Sequence, residues 1–348
     1  MKILVTGGAG FIGSNFILKY INQHQILNYD KLTYAANLEN LDSIKNNSNY
    51  QFINGDITDK NKIQKTTIEF RPNIIINFAA ESHVDRSIDG PEDFIQTNIL
   101  GTYHLLNVSL HYYNTLDSKI RDKFKFLHIS TDEVYGSLGN KGKFKENSSY
   151  DPSSPYSASK ASSDHLVRAW FKTFELPILI TNCSNNYGPF QFPEKLIPLI
   201  ITNCLENKNL PIYGTGKNIR DWIYVEDHCD AIYKVLKHGI IGESYNIGAN
   251  QELTNLKIVE KICDILDEKY PSKNYDSYRS LITFVKDRPG HDFRYAIDAN
   301  KIESEIQFKC TNNIDTGLAK TIDWYLANID WLNKIRKNKY NQERLGLN

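Results

Sequence analysis

The sequence predicts an α/β protein built on a doubly wound parallel sheet, with a smaller and discontinuous second α/β domain. In the first half of the chain, short apolar runs alternate with longer amphipathic ones, as in βαβ units whose sheet is covered on both faces. A glycine-rich turn follows the first of these runs. Beyond Tyr187, prolines interrupt the alternation, which indicates that other segments are inserted there.

Hydrophobic periodicity places the individual elements in order. Apolar runs predict strands at Ile3–Thr6, Gln25–Tyr29, Tyr50–Asn54, Ile74–Phe78, Phe124–Ser130 and Pro177–Asn182. Helical spacing predicts helices at Ile12–Ile21, Lys60–Phe70, Pro91–Tyr113 and Ser157–Thr173. The later part predicts helices at Leu196–Glu206, Leu256–Lys269 and Thr316–Asn328, a strand near Pro211–Tyr213, and an irregular segment at Ser272–Arg294.

The segments Ile223–Gly239 and Ser244–Ile247 have the apolar character of the sheet domain and are expected to rejoin it. We therefore assign residues 1–187 and about 221–250 to the sheet domain. Residues from about 188 to 220 and from 251 to 330 form the second domain, and 334–348 is a polar tail that we expect to fray.

Composition excludes several classes of protein. The 348 residues carry 41 basic and 41 acidic side chains, so the chain is not a strongly basic nucleic-acid binder. No stretch reaches the roughly 18 apolar residues that a membrane span needs, and the start MKILVTGGAG is typical of a strand rather than a secretion signal. The five cysteines are far apart and form no CxxC pair, which favours reduced thiols in the cytoplasm and no metal site.

The run VTGGAGFIGS at residues 5–14 indicates a Rossmann-type dinucleotide site. Gly7, Gly10 and Gly13 lie between a strand and a helix, where glycines let the backbone approach a pyrophosphate at the helix N-terminus. The alternative is a tight turn without a ligand. Asp30 ends the second strand, where a carboxylate accepts ribose hydroxyls and selects NAD, although the neighbouring Lys31 leaves NADP open. Asp30 could also be an ordinary turn residue.

Tyr156 and Lys160, in YSASK, are four residues apart and therefore share one face of the predicted helix. A free tyrosine has a pKa near roughly 10, and a nearby ammonium together with a positive nicotinamide would favour its phenolate. Tyr156 is then a candidate base for hydride-transfer chemistry. Alone, such a pair is often an ordinary exposed one. Combined with the glycine loop, it resembles the extended short-chain dehydrogenase/reductase superfamily.

HISTDEVYG at residues 128–136 predicts further chemistry. Thr131, Asp132 and Glu133 end a strand, where ligands collect. Once a sugar C4 hydroxyl is a ketone, one carboxylate can take the C5 proton while a protonated carboxyl lets the C6 hydroxyl leave as water. Neighbours on a regular strand point to opposite faces, so both reach one substrate only if the strand breaks at Thr131–Glu133. A solvated acidic turn is the alternative.

Long runs across the chain resemble the dTDP-glucose 4,6-dehydratase family, among them AAESHVDRSI (79–88), HISTDEVYG (128–136), PSSPYSASKASSDHLVRAW (152–170), FPEKLIPL (192–199) and DRPGHDFRYAID (287–298). The resemblance implies that Tyr156 is the C4 base with Lys160 as its partner, and that Thr131 binds the C4 oxygen. It implies that Asp132 is the acid for C6 and Glu133 the base for C5.

The resemblance also implies two sets of binding residues. Beside the three glycines, Tyr156 and Lys160, the NAD site comprises Phe11, Ile12, Asp30, Lys31, Leu32, Thr33, Asp56, Ile57, Ala79, Ala80, Ser82, Thr97 and Asn186. Beside Thr131, the sugar nucleotide is surrounded by His83, Asn185, Lys195, Leu196, Pro211, Tyr213, Arg220, Asn255, Arg288 and His291. Taken singly, His83 could be structural, and Arg220 or Arg288 could be solvated.

The expected function is dehydration of dTDP-glucose to its 4-keto-6-deoxy product with tightly held NAD. The alternatives are a CDP- or UDP-sugar dehydratase, a 4-epimerase, and a nucleotide-sensing protein without catalysis. A homodimer paired through Pro91–Tyr113 and Ser157–Thr173 is implied by the resemblance. The diphosphate further predicts that Lys195, Arg220, Arg288 and His291 form a positive cavity mouth, although the whole chain is neutral.

Overall fold

The computed structural model describes residues 1–339 and has twelve strands in chain order. They are β1 (Lys2–Thr6), β2 (Gln25–Asp30), β3 (Tyr50–Asn54), β4 (Ile74–Asn77), β5 (Lys125–Thr131), β6 (Ile178–Cys183), β7 (Asn185–Tyr187), β8 (Leu210–Tyr213), β9 (Ile219–Tyr224), β10 (Ser244–Ile247), β11 (Glu252–Thr254) and β12 (Ile282–Val285).

The helices alternate with these strands. They are α1 (Phe11–Tyr20), α2 (Lys60–Phe70), α3 (Val84–Asp89), α4 (Pro91–Phe94), α5 (Thr102–Thr115), α6 (Ser118–Arg121), α7 (Pro155–Phe174), α8 (Leu196–Leu205), α9 (Val225–His238), α10 (Asn255–Lys269), α11 (Asn300–Ile306), α12 (Ile314–Ala327) and α13 (Ile329–Lys339). Short 3-10 helices lie at Leu38–Ile44, Asp132–Tyr135 and Tyr278–Leu281.

A seven-stranded parallel sheet organises the fold, in the order β10-β6-β5-β4-β1-β2-β3. The chain begins in the middle at β1 and builds outward first to one side and then to the other. This doubly wound topology confirms the predicted fold class. The order reverses between β1 and β4, and ligands of such sheets bind beyond the carboxyl ends of the strands at that point.

Two faces of the sheet are covered by separate apolar layers. On one face Ile3 and Val5 of β1 lie in a cluster with residues of α1 and α9. On the other face Leu4 lies in a cluster with residues of α5 and α7. Alternation along β1 buries residues on both faces, so each layer removes apolar surface from water.

A further apolar core lies away from this sheet. It joins side chains of α8, α10 and α12, such as Ile200, Ile262 and Ile322, with Trp222 on β9. Two small sheets accompany it, with the orders β11-β9-β7 and β12-β8. These elements position the residues that follow Tyr187 over the carboxyl edge of the large sheet.

The structure differs from the predicted elements in several places. The predicted helix Pro91–Tyr113 is helical throughout but contains a π-helical segment at Ile95–Gly101. Strands β7, β9 and β11 were not predicted, because their partners in the three-stranded sheet are distant in sequence. The segment expected to be irregular, Ser272–Arg294, contains β12, which pairs with β8.

The C-terminal part of the described chain is more ordered than predicted. Helix α13 extends through Lys339, and Trp331, Leu332 and Ile335 are buried in the apolar core of α8, α10 and α12. The prediction of a fraying tail from residue 334 is therefore wrong for the first turns. The rest of that segment, 340–348, lies outside the described residues.

Candidate active site

A cavity of about 300 Å³ opens at the carboxyl ends of the parallel strands. Of the residues predicted to bind the cofactor, all but Leu32 line it, and so do Thr131, Asp132 and Glu133. Leu32 instead adopts a positive φ of 58°, and its backbone N–H donates to Asp30 Oδ1 at 2.7 Å. Leu32 therefore holds the Asp30 carboxylate in place rather than lining the cavity.

The glycine loop at this cavity fits a dinucleotide pyrophosphate. Gly7 has φ +71°, and a Cβ there would lie 2.6 Å from the Ala79 nitrogen. Gly10 is the N-cap of α1, and no side chain caps the first N–H groups of this helix. Phe11 and Ile12 in that first turn line the cavity. The loop thus presents backbone donors and the positive end of a helix to an anion.

Gly13 must also remain a glycine. A Cβ at this position would overlap the Gly7 carbonyl oxygen and lie 2.8 Å from Gly8 Cα, and these backbone atoms cannot rotate away. Gly13→Ala is expected to destabilise the fold by about 1–3 kcal/mol and to reduce bound dinucleotide. Thermal unfolding and cofactor content measure both effects. Gly139→Ala is the matched control, since no atom lies within 4 Å of its Cβ, and an equal loss in both variants would contradict the prediction.

The position of Asp30 fits a carboxylate that would receive a ribose. Asp30 is buried at the end of β2, and its Oδ2 accepts the Ala9 N–H at 2.9 Å. Lys31 forms an ion pair with Asp56 at 3.0 Å. Burial would raise the pKa of Asp56, but hydrogen bonds from Thr58 and the Lys31 charge hold it below its ordinary value. Because Lys31 is engaged by a carboxylate, the site favours ribose hydroxyls over a 2′-phosphate.

The strand that carries the acidic pair breaks where the sequence requires it. β5 ends at Thr131, and Asp132–Tyr135 turns into a 3-10 helix. The Glu133 N–H donates to Thr131 Oγ1 at 3.3 Å, which caps the turn. As a result, neither carboxyl follows the alternation of a regular strand, and both side chains line the cavity.

The two carboxyl groups have different environments. Burial raises the pKa of Asp132 well above its ordinary value, the nearby Glu133 charge raises it further, and Asp132 Oδ2 has no hydrogen-bond partner among the described residues. Burial also raises the pKa of Glu133, but Arg288, Lys195 and Arg220 oppose that shift. The surroundings therefore favour protonation of Asp132 more than that of Glu133, whose carboxylate the three cations stabilise.

Asp132 should cost the fold stability at neutral pH. Because its pKa is raised on folding, the native state binds the proton more tightly, and stability falls as pH rises above the ordinary value of 3.8. Asp132→Asn removes this penalty and is expected to raise the melting temperature at pH 8 by about 2 °C or more, with the gain disappearing toward pH 4. Calorimetry of both proteins across this range tests it. The exposed Asp122→Asn should show no such trend, and a destabilised Asp132→Asn at pH 8 would contradict it.

Tyr156 and Lys160 lie on the first turns of α7, which begins with a capping box between Ser154 and Ser157. Both side chains are buried, and Lys160 Nζ donates to the Ile129 carbonyl at 2.8 Å. Burial lowers the pKa of Lys160 to about 8. Burial and the Glu133 charge raise the pKa of Tyr156, although a hydrogen bond with Thr131 opposes them. The residues of the chain alone therefore keep Tyr156 as a phenol.

A second cavity, of about 480 Å³, adjoins the first. All residues predicted to surround the sugar nucleotide line it except Thr131, which lines the first cavity. Glu133, Asn185, Glu194 and Lys195 line both. The Lys195 ammonium donates to the Ser82 carbonyl at 2.8 Å. The carboxylate of Glu133 is thus at the junction of the two cavities.

Basic side chains converge on the second cavity, and the histidine among them is neutral. Arg220 is buried, donates from Nη2 to the Asp292 carbonyl at 2.9 Å, and lies 4.2 Å from the centre of the Tyr295 ring. Arg288 pairs with Asp85 at 3.1 Å. Burial and the arginines lower the pKa of His291 to about 4. The expectation that His291 adds positive charge is therefore wrong. Its neutral imidazole donates to the Asp287 carboxylate instead.

Among the residues of this cavity that the sequence did not predict, three contact charged side chains. Asp85 accepts from Tyr213 as well as from Arg288. Glu194 is buried and binds the Arg86 guanidinium at 3.0 Å. Tyr295 stacks on Arg220. All three lie in runs that resemble the family, at 79–88, 192–199 and 287–298. Their position beside predicted site residues in these runs was the sequence signal that could have identified them.

Within the described residues, no group of three or more His, Cys, Asp or Glu side chains is arranged to hold a metal ion. No helix in that part of the chain combines the length and apolar character needed to cross a bilayer.

A Rossmann-type sheet with a buried tyrosine–lysine pair at its ligand edge defines an enzyme of the extended short-chain dehydrogenase/reductase type. The model of the GDP-mannose 4,6 dehydratase family matches residues 4–321. A probable dTDP-glucose 4,6-dehydratase of Sinorhizobium fredii is 54% identical over 348 residues, which cover 100% of this chain and 99% of that protein. The chain belongs to the dTDP-glucose 4,6-dehydratase family.

Solved structures agree with this assignment. The crystal structure of dTDP-glucose 4,6-dehydratase from Bacillus anthracis in complex with NAD has a TM-score of 0.85 and 45% identity, covering 96% of this chain and 99% of that one. The enzyme of the same name from Streptomyces venezuelae, also with NAD bound, has a TM-score of 0.87 and 41% identity, with 96% and 100% coverage.

Proposed function

We propose that this protein is a hydro-lyase that converts dTDP-glucose to dTDP-4-keto-6-deoxyglucose and so supplies deoxysugar biosynthesis of the rhamnose type. The observation that carries the proposal is the break after β5. It brings Asp132 and Glu133, in environments that separate their protonation states, to the cavity that also holds Tyr156. Oxidation at C4 needs a base but no pair of carboxyl groups, so the acidic pair supports the additional loss of water.

We propose NAD as the cofactor, held by the glycine loop, by Asp30 and by the other residues of the first cavity. When bound, NAD supplies the acceptor for the C4 hydride, the donor for C6, and a positive charge on its oxidised ring. Tyr156, as the phenolate that such a positive charge would favour, takes the proton of the C4 hydroxyl. Thr131, whose hydroxyl interacts with Tyr156, binds the C4 oxygen as it becomes a carbonyl.

Elimination then uses the two carboxyl groups. Glu133 removes the C5 proton, which the C4 carbonyl has made acidic, and the electrons of that C–H bond form a double bond to C6. Asp132 gives its proton to the C6 hydroxyl, which leaves as water. Glu133 returns a proton to C5 when C6 is reduced, and the proton on Tyr156 restores that of Asp132, so the cycle balances.

The second cavity is the proposed nucleotide site. Arg220 and Arg288 offer guanidinium groups to a diphosphate, a geometry that suits forked hydrogen bonds. Arg288 is paired with Asp85 in this structure, so binding requires it to exchange a carboxylate for a phosphate.

We further propose that residues 1–187 with about 221–250 form the NAD domain, and that about 188–220 with 251–330 form the sugar-nucleotide domain.

The reaction is tested with dTDP-glucose deuterated at C4. A 4,6-dehydratase moves the deuterium to C6 with loss of one water, whereas a 4-epimerase returns it to C4. Parallel incubations with UDP- and CDP-glucose test the choice of base. We expect the 4-keto-6-deoxy product from dTDP-glucose. If only UDP-glucose or CDP-glucose gave this product, that nucleotide sugar would be the substrate instead of dTDP-glucose. No conversion of any of the three would refute the proposed activity.

We propose that two copies assemble through the faces of Pro91–Tyr113 and Ser157–Thr173. In this part of the described chain, Ile95, Leu100, Tyr103 and Phe174 are at least one-third exposed although they are large and apolar. Such a patch supports an interface between copies. Sedimentation equilibrium is expected to give twice the chain mass of 40.1 kDa.

We also propose a cytoplasmic location, in keeping with five cysteines that are all free thiols.

A further inference from the structure

A buried polar network lies beneath Lys160, on the side away from the cavities. Asp164 follows Lys160 by one turn of α7, and its side chain is completely buried. Lys160 Nζ lies 3.4 Å from His128 Nε2, and Asp164 Oδ1 lies 3.5 Å from the same nitrogen. The imidazole of His128 on β5 therefore contacts both the catalytic lysine and a buried carboxyl group that the proposed reaction does not use.

Hydrogen bonds fix how His128 is protonated. Thr6 on β1 donates its hydroxyl to Asn77 Oδ1 at 2.7 Å, so the amide nitrogen of Asn77 on β4 faces His128 Nδ1 at 3.2 Å. His128 Nδ1 is then the acceptor, and the ring hydrogen is on Nε2, which lies near both Lys160 and Asp164. Burial and the Lys160 charge lower the pKa of His128, so the ring is neutral.

Burial raises the pKa of Asp164, and the Lys160 charge together with several hydrogen-bond donors opposes that rise and stabilises the carboxylate. Its Oδ2 accepts from Ser130 Oγ at 2.9 Å, from Tyr150 OH at 2.8 Å and from Asn182 Nδ2 at 3.1 Å. Three donors converge on one oxygen, whereas Oδ1 lies 3.5 Å from His128 Nε2 and has no hydrogen-bond partner among the described residues. Burying a carboxyl group in this way is costly unless hydrogen bonds and a nearby cation compensate for the lost water.

Asp164 is the principal negative group that acts on Lys160. Burial disfavours the ammonium, and Asp164 is the neighbour that opposes this effect most strongly; the Cys183 thiol on β6 also lies nearby, but burial raises its pKa to about 12 and leaves it neutral. His128 on β5 is neutral, and on α7 itself Arg168 interacts with Asp164 and with Tyr150 OH at 2.9 Å. Among the described residues, Asp164 is therefore the carboxylate that stabilises the Lys160 ammonium.

We propose that Asp164 is a positioning residue for the reaction: across the neutral ring of His128 it keeps Lys160 as an ammonium and fixes it in the cavity floor. This inference rests on the proposed function only for its catalytic consequence. The charge of Lys160 can be measured without substrate. A carboxylate that served packing alone would stabilise the fold but would not control the protonation of the lysine.

The first test is the titration of Lys160 in the holoenzyme by NMR of lysine 13Cε, with Lys160→Met to assign its resonance. In the wild type we expect a protonated Lys160 at pH 7 despite its burial, and a neutral amine at that pH would overturn the proposal. In Asp164→Asn we expect the midpoint to move to lower pH. An unchanged midpoint in a folded variant would show that Asp164 is only structural. The wild-type measurement stands even if this variant does not fold.

The second test follows the first half-reaction, formation of reduced nicotinamide from dTDP-glucose. Asp164→Asn is expected to lower its rate constant roughly tenfold at pH 8, with the alkaline limb of the profile shifted down and KM little changed. Ser163→Ala is the matched control, because it removes a buried hydroxyl of the same helix that bonds Asn98 and Ser159 carbonyls. A loss shared by both variants, without a shifted profile, would refute the positioning role. A wild type inactive on dTDP-glucose would refute the proposed function and leave the NMR test valid.

Discussion

Glu133→Gln is expected to stop product formation while reduced nicotinamide still accumulates. The amide cannot remove the C5 proton, so elimination should slow by about 10²- to 10⁴-fold. Tyr156 and Thr131, which serve C4 oxidation, are unchanged. In a single turnover with dTDP-glucose, the near-ultraviolet absorbance of the reduced cofactor should rise and persist, instead of passing through a transient.

The position of Glu133 makes this outcome specific. Three cations, Arg288, Lys195 and Arg220, act on its carboxylate, and it lies where the two cavities meet. Glu69→Gln is the control, since this glutamate is exposed on α2. A Glu133→Gln protein that forms the 4-keto-6-deoxy sugar at the wild-type rate would remove Glu133 from the elimination. A variant that also fails to oxidise C4 would show that Glu133 serves an earlier step.

The parts of this site that depend on local sequence were predictable. A glycine turn needs only a strand before it and a helix after it, and the tyrosine–lysine pair needs only helical spacing. The break at Thr131 was predictable because two adjacent carboxyl groups can serve one substrate in no other way. The structure then shows how the break is made, with the Thr131 hydroxyl capping the turn.

The remaining features depend on partners far away in the chain. β7 was not predicted because its ladder partner, β9, is formed by residues beyond the insertion. Asp85 has no chemical signal of its own until Arg288 is folded against it. The neutrality of His291 likewise follows from burial and from neighbouring arginines, which no local pattern encodes.

Tyr156→Phe is expected to abolish the first chemical step. The ring of Tyr156 packs edge-to-face on Phe94, with centroids 6.2 Å apart, and Phe preserves that contact. Only the hydroxyl is lost, so the melting temperature should change little while formation of reduced nicotinamide slows by about 10³-fold. Stopped-flow absorbance and scanning calorimetry on the same preparation separate the two effects. Tyr270→Phe, at an exposed tyrosine, should match the wild type in both.

Combining the two substitutions orders the steps. Glu133→Gln accumulates reduced nicotinamide only if Tyr156 has first taken the C4 proton, so Tyr156→Phe with Glu133→Gln should show the slow rise of the tyrosine variant alone. Because the Glu133 charge raises the pKa of Tyr156, the Glu133→Gln background should also ease the ionisation of the phenol. C4 oxidation in Glu133→Gln is therefore expected to reach its full rate at a lower pH than in the wild type. If the double variant accumulated reduced nicotinamide as fast as Glu133→Gln, some group other than Tyr156 would be the base at C4.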